Sequence, residues 1–286
     1  MIFLGRRINK QGYSEADIEY VYSVGSLAII SLENKRLFLE ELEKKKLEDE
    51  LDIARDIQKN LLPHSIPEFK NFIVSAINVS SRQVGGDYYD LIRLDENSVC
   101  IAIADVSGKG VPAALLMANL QAFLKTIVRH GMALDEATGL INDLVSENTS
   151  DGKFITFFWG VIDDDHKKFT YVNAGHNPPL LVRKGRIIKL TLGGIILGVM
   201  KTITPYEYQV VDLEKDDVII MFTDGVSEAM NKEGEEFSDE RLEAIAMKTS
   251  HLSPTDILQT IRQDVISFTS GAVQSDDITI MVVKAK

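Results

Sequence analysis

Residues 72–129 read FIVSAINVSSRQVGGDYYDLIRLDENSVCIAIADVSGKGVPAALLMANLQAFLKTIVR, and the order of elements in this stretch decides the fold. Phe72 to Val79, Tyr88 to Leu94 and Ser98 to Asp105 are short runs rich in valine, isoleucine and tyrosine, divided by turn residues, and read as successive strands. Pro112 then sits near the first turn of a helix reaching about Arg129. Outward from there, a second helix spans Leu134 to Glu147, and strands return at Phe154 to Ile162 and Lys168 to Asn173. A short pair around Arg183 to Gly185, then Tyr206 to Val211 and Asp217 to Thr223, continue the strand series. Helices near Asp239 to Thr249 and Pro254 to Phe268 precede a last strand, Ile278 to Lys284. Strands in two clusters flanking paired helices predict an α+β fold, a central antiparallel β-sandwich with helices on both outer faces. The regular βαβ alternation of a doubly wound sheet is missing.

Ahead of this region, residues 15–62 read as one long helix, with Ser14 as a cap and neither glycine nor proline from Ser26 to Leu62. Pro63 and Pro67 end it. From Leu47 the positions Leu47, Leu51, Ala54 and Leu61 follow a 4-3 spacing with Gln58 as the polar member, while Ile53 and Ile57 widen the stripe. Such a stripe packs either on its own domain or along a second copy as a parallel homodimer seam. The Glu/Lys-rich stretch Glu40 to Glu50 reads as a solvated stalk, which favours the second.

The 286 residues carry 43 acidic against 31 basic side chains, a formal charge of −12, so a sequence-independent grip on nucleic acid or on an anionic membrane surface is not expected. A divalent cation is the more natural partner. The lone cysteine, Cys100, lies inside an apolar run, forms no internal disulfide, lacks the following arginine of a cysteine-phosphatase loop and reads as core. With no uninterrupted apolar stretch of about 18 residues, a cytoplasmic chain is expected.

Four segments put aspartate at a strand end or turn: GGDYYD (85–90), DVSGKG (105–110), TDG (223–225) and SDDIT (275–279). Each alone is an ordinary turn. Asp105 and Asp224, however, close the apolar runs Cys100 to Ala104 and Val218 to Phe222, where a carboxylate needs a partner. Two carboxylates ~5 Å apart repel by roughly 3 kcal/mol at an effective dielectric near 20, so four converging call for a cation. Oxygen donors in that number suit Mg²⁺, Mn²⁺ or Ca²⁺ rather than zinc. Two such ions about 3.5–4 Å apart would lower the pKa of a water and neutralise a phosphoryl group, which suits phosphate-ester hydrolysis without a covalent nucleophile. The acidic run Asp163-Asp164-Asp165 reads as a hairpin turn.

In order, GGDYYD, DVSGKG, NAGHNPP (173–179), TDGVSEA (223–229) and SDDIT resemble the PPM family of metal-dependent protein phosphatases, in its bacterial stage II sporulation E-type branch. The resemblance covers residues 63–286. It implies a serine/threonine phosphatase with two Mn²⁺ or Mg²⁺ ions, Asp105 bridging them and Val106 offering a carbonyl, with Asp224 and Asp276 completing one site and Asp87 binding the second ion. Asp105 and Asp224 are the catalytic pair, and Asp277 is an additional ligand or a support for one. Arg82, Lys109 in the loop before Pro112, and His176 with Asn177 are candidates to meet the substrate phosphate, although the loop and the GHNPP segment also read as tight turns. The partner implied is a phosphorylated anti-sigma-factor antagonist of the STAS fold. A pseudophosphatase that only docks the partner is the alternative, and a two-metal phosphodiesterase a third reading. The family pattern would place proline and leucine where Ile196 and Leu197 stand, and glycine at Ser238. Residues 1–35 resemble the last strand and helix of a GAF sensory domain, and 36–62 the linker that joins such a sensor to the phosphatase.

Overall fold

Helix α1 runs Glu15–Lys59 without a break, close to the single long helix expected over residues 15–62. The structure is a computed structural model and describes Gly5, residues 11–149 and residues 152–286. The strand of the expected sensory remnant falls on residues outside those described. Two compact units divide the chain, Met1–Ile53 and Ala54–Lys286. None of the residues of α1 is buried, and Leu27, Ile30, Leu37 and Leu47 stand exposed along it.

Within the second unit come β1 (Phe72–Val79), β2 (Tyr88–Arg93) and β3 (Ser98–Val106), then α2 (Val111–Ile127) and α3 (Leu134–Asn148). They are followed by β4 (Ile155–Asp163), β5 (Lys168–Ala174), β6 (Leu180–Arg183), β7 (Arg186–Lys189), β8 (Gly193–Gly194), β9 (Gln209–Asp212) and β10 (Val218–Phe222). The short turn α4 (Asp224–Ser227), α5 (Asp239–Thr249), α6 (Pro254–Thr269) and β11 (Ile278–Ala285) complete it. One sheet has the order β1-β11-β10-β6-β7, antiparallel throughout. The other has the order β2-β3-β4-β5-β8, with β9 beside β5; β8 alone is parallel to its neighbour.

Alternation along the strands sets the layers. In β3, Ile101 and Ile103 face inward with Phe158, Tyr171, Met221 and Met281 to form the core between the sheets. Cys100, Ala102 and Ala104 face the other way, onto Met117, Leu120 and Leu124 of α2 and Ile141 of α3. Likewise Ile280 and Val282 of β11 turn out onto Leu242, Ala246, Ile257 and Ile261 of α5 and α6. The result is the helix–sheet–sheet–helix sandwich that the strand order predicts. By hydropathy and length the helical stretch Val111–His130 could cross a membrane, but Ala113, Met117, Leu120, Leu124 and Ile127 are buried in the core, which accounts for its apolar character.

The Asp163-Asp164-Asp165 run does form the β4–β5 turn. Asp164 also accepts the backbone N–H groups of Lys70 at 2.6 Å and Asn71 at 2.8 Å, fastening the start of β1 to that hairpin.

Candidate active site

The pairing register brings the acidic segments to one edge of the sandwich. In one sheet Tyr88 pairs with Ala104, so Asp87, just before β2, meets Asp105 at the end of β3. In the other, Phe222 pairs with Ile280, so Asp224, just after β10, meets Asp276 and Asp277 before β11. Each hairpin-like junction therefore delivers its carboxylates from strand ends that the core fixes rigidly.

The electrostatics show the two groups converging. Burial pushes the Asp105 carboxyl up to about 7, and the charges of Asp224, Asp276 and Asp277, across the sandwich, add to it. Asp87 is raised well above the usual carboxylate range by burial and then by Asp105, with which it shares a hydrogen bond. Asp224 is raised by burial and then by Asp276. The Lys109 ammonium opposes this charge: it lies 2.8 Å from Asp276 Oδ2 and donates to the Ser275 carbonyl at 2.5 Å. A cluster of aspartates in which Lys109 pairs with Asp276 is a set of hard oxygen donors in want of positive charge, and it fits divalent cations. Among the described residues no three carboxylate, histidine or cysteine side chains stand as close as a filled ion cage requires. Their partners are protein groups: Lys109 pairs with Asp276, and Asp87 Oδ2 accepts from Thr223 at 2.8 Å and Thr279 at 2.5 Å.

Residues 95–286 match the family described as Stage II sporulation protein E (SpoIIE). The chain belongs to that family. Phosphoserine phosphatase RsbU of Bacillus subtilis (strain 168) is 30% identical over 249 residues, covering 85% of this chain and 72% of RsbU. Among solved structures, the SiaA-PP2C domain of Pseudomonas aeruginosa aligns with a TM-score of 0.73 at 20% identity, over 84% of this chain and 98% of that one. The PP2C phosphatase domain of Bacillus subtilis SpoIIE, solved with a fragment of its regulatory domain, gives a TM-score of 0.65 at 24% identity, over 76% of this chain and 64% of that one. At those identities the likeness shows the fold, and the sandwich is that of PP2C-type phosphatases.

Within this SpoIIE-type domain the expected residues divide into those that meet at the edge and those that do not. Asp87, Asp105, Asp224 and Asp276 come together as described, and the buried Val106 carbonyl faces Gly86 beside them. Asp277 is a loop anchor. Its Oδ1 accepts from the Ser81 N–H at 2.7 Å and hydroxyl at 2.9 Å, and its Oδ2 from the Gly86 N–H at 2.7 Å. Gly85 has to be glycine here, because a Cβ would stand 2.2 Å from Asp277 Oδ2. Arg82 is exposed, with its guanidinium beside Gly110 at the start of α2. Lys109 is engaged by Asp276, so its first partner is a carboxylate and not a phosphate.

His176 corrects the expectation of a phosphate contact. It is 3% exposed, its Nδ1 lies 2.9 Å from the Thr156 hydroxyl, and burial lowers its pKa to about 3. A neutral ring buried between the sheets cannot reach a substrate. Thr156 lies opposite Asp105 in the β3–β4 ladder, and the Phe222 carbonyl, two residues before Asp224, faces the ring. The imidazole thus spaces the two strands that end in Asp105 and Asp224. Its Nε2 is buried without a well-formed hydrogen bond among the described residues. Asn177, next to it, is half-buried.

Sequence reasoning missed the supports. Thr223 and Thr279 bond Asp87, and the Thr279 N–H donates to the Thr223 hydroxyl at 3.0 Å, tying β10 to β11. Asn173 accepts the His176 N–H at 2.8 Å and donates to the His176 and Leu190 carbonyls, which shapes the NAGHNPP turn. Its signal was present: a polar amide closing an otherwise buried strand. Gln58, expected in a dimer seam, instead clamps the Gly85 backbone with a reciprocal pair, Nε2 to the carbonyl at 2.8 Å and the N–H to Oε1 at 3.0 Å.

Proposed function

We propose that this chain removes phosphate from a phosphoserine or phosphothreonine of a partner protein, and the observation that carries the reading is the convergence of Asp87, Asp105, Asp224 and Asp276 from four strand ends of a PP2C-type sandwich. These four, with the Val106 carbonyl, would hold two Mn²⁺ or Mg²⁺ ions. Bound there, the ions would activate a water and offset the phosphoryl charge. Asp105, central in the cluster, orients the set. Asp87 is fixed by Thr223 and Thr279, and the loop carrying it by Asp277 and Gln58. Lys109, paired to Asp276, would keep a positive charge at the mouth as a dianionic phosphoryl group arrives. Arg82, exposed beside the start of α2, is placed to steady that group.

The partner we propose is a phosphorylated STAS-type anti-sigma-factor antagonist, the substrate that the family resemblance implies, and the relative named phosphoserine phosphatase RsbU supports the phosphoserine chemistry. The exposed apolar residues of α1, in a helix that buries none of its side chains, support a homodimer formed through it. The test is hydrolysis of a phosphorylated STAS protein and of an aryl phosphate, with Mn²⁺ and with chelator. The reading expects turnover of both only with the metal, and chelator-resistant turnover would refute it.

A further inference from the structure

A cavity of about 430 Å³ opens directly beside Asp87, walled by Arg55 and Lys59 from the end of α1 and by Arg82 from the loop before β2. Its remaining lining includes Leu62 and Tyr89 beside the polar Gln58, Asn78 and Ser80. In a chain of net charge −12, three cations on one cavity rim with Asp87 as the only carboxylate in the lining form a local inversion of charge. Lys59 and Arg82 are exposed, and among the described residues neither forms an ion pair. A helix C-terminus accounts for one cation in its last turn, which is Lys59 itself, but not for the cavity or for Arg82 opposite. Arg82 stands beside Gly110, at the start of α2, where the phosphatase reading puts the reacting phosphoryl group. Arg55 and Lys59 lie on the α1 side of the same space.

We infer that this cavity takes an acidic side chain of the phosphoprotein next to the phosphorylated residue, and that Lys59 and Arg55 select for it. The inference rests on the phosphatase reading for the position of the phosphoryl group. With that group at the aspartate cluster, the neighbouring residues of the substrate pass over Asp87 into the cavity. A carboxylate entering it meets two cations, while its aliphatic stem lies on Leu62 and Tyr89. A basic neighbour meets like charge at the exposed Lys59, and a neutral one gains no ion pair there. The end of the long helix is therefore part of the substrate surface.

The experiment compares two phosphoserine peptides, one with aspartates flanking the phosphoserine and one with alanines, on the full chain in Mn²⁺. The parent is expected to favour the acidic peptide about tenfold in kcat/KM, through KM, with Lys59→Gln and Arg55→Gln each reducing that preference about fivefold. Lys59→Glu should shift it towards a lysine-flanked peptide, a reversal that a purely structural role would not produce. In parallel, fluorescence anisotropy with the corresponding non-hydrolysable phosphonate peptides reads binding without turnover. Equal affinity of the parent for both peptides, or an equal loss on both in Lys59→Gln, would overturn the inference. Failure of the parent to hydrolyse an aryl phosphate in Mn²⁺ would instead count against the phosphatase reading, while anisotropy still decides the cavity's preference.

Discussion

Asp105, Asp87 and Asp224 all carry folded-state pKa values above those of free carboxyls. A raised carboxyl holds its proton more tightly in the native state than in the unfolded one, so native stability falls as pH rises through the interval between the two values. For Asp105 that interval runs from 3.8 to about 7. The melting temperature of chelator-treated protein should therefore drop between about pH 4 and pH 7, and added Mn²⁺ should reverse the drop by supplying the missing charge. A flat profile in chelator would contradict the assignment. Ser238 offers a second residue-scale test. It sits at φ 75°, ψ 156°, a region that suits glycine, at the position where the family pattern calls for glycine. Ser238→Gly should relieve about 1 kcal/mol of strain and raise the melting temperature by roughly 2–4 °C, whereas a lower melting temperature would show the strain to be compensated. The aspartates themselves were legible because each ends an apolar run, a local signal. Thr279 and Asp277 acquire their roles from residues 192 and 191 positions away, and no local pattern encodes that.

At the scale of elements, β1, α3, α5 and the start of α1 stand where the local composition and turn residues predict them. The misses are short or tertiary: α4 is four residues, β8 is two glycines, and β9 begins at Gln209 and not at Tyr206. Along the stripe of α1 the structure assigns Gln58 to the helix's own domain. Its spacing is real, but Ala54 and Gln58 are half-buried within the second unit while Ile53 and Ile57 are 62% and 60% exposed. A heptad pattern cannot tell a partner helix from the helix's own domain. Gln58→Leu should consequently lose two hydrogen bonds to the Gly85 backbone, cost about 2 kcal/mol in urea unfolding and raise the Mn²⁺ concentration needed for half-maximal turnover. An unchanged metal requirement would mean that the loop holds Asp87 without the clamp. His176→Ala removes a fully packed ring between the strands of Asp105 and Asp224 and should cost about 2–3 kcal/mol with weaker Mn²⁺ binding. A stability loss with parental Mn²⁺ affinity would reduce His176 to core packing.

For the molecule as a whole, the division at residues 53 and 54 keeps the Gln58 clamp with the catalytic sandwich. A chain beginning at Ala54 is expected to sediment as a folded monomer that retains metal-dependent turnover, while the full chain sediments as a dimer. A monomeric full chain would show that the exposed face of α1 does not join two copies. The central claim is that the aspartate cluster works by holding divalent cations, and calorimetric titration of Mn²⁺ into the parent, Asp105→Asn and Asp224→Asn, read beside phosphoprotein turnover, tests it most directly. The parent is expected to bind Mn²⁺ and turn over, and both variants to lose Mn²⁺ affinity together with at least ~10³-fold of turnover. A variant that keeps parental turnover after losing Mn²⁺ affinity would contradict the account.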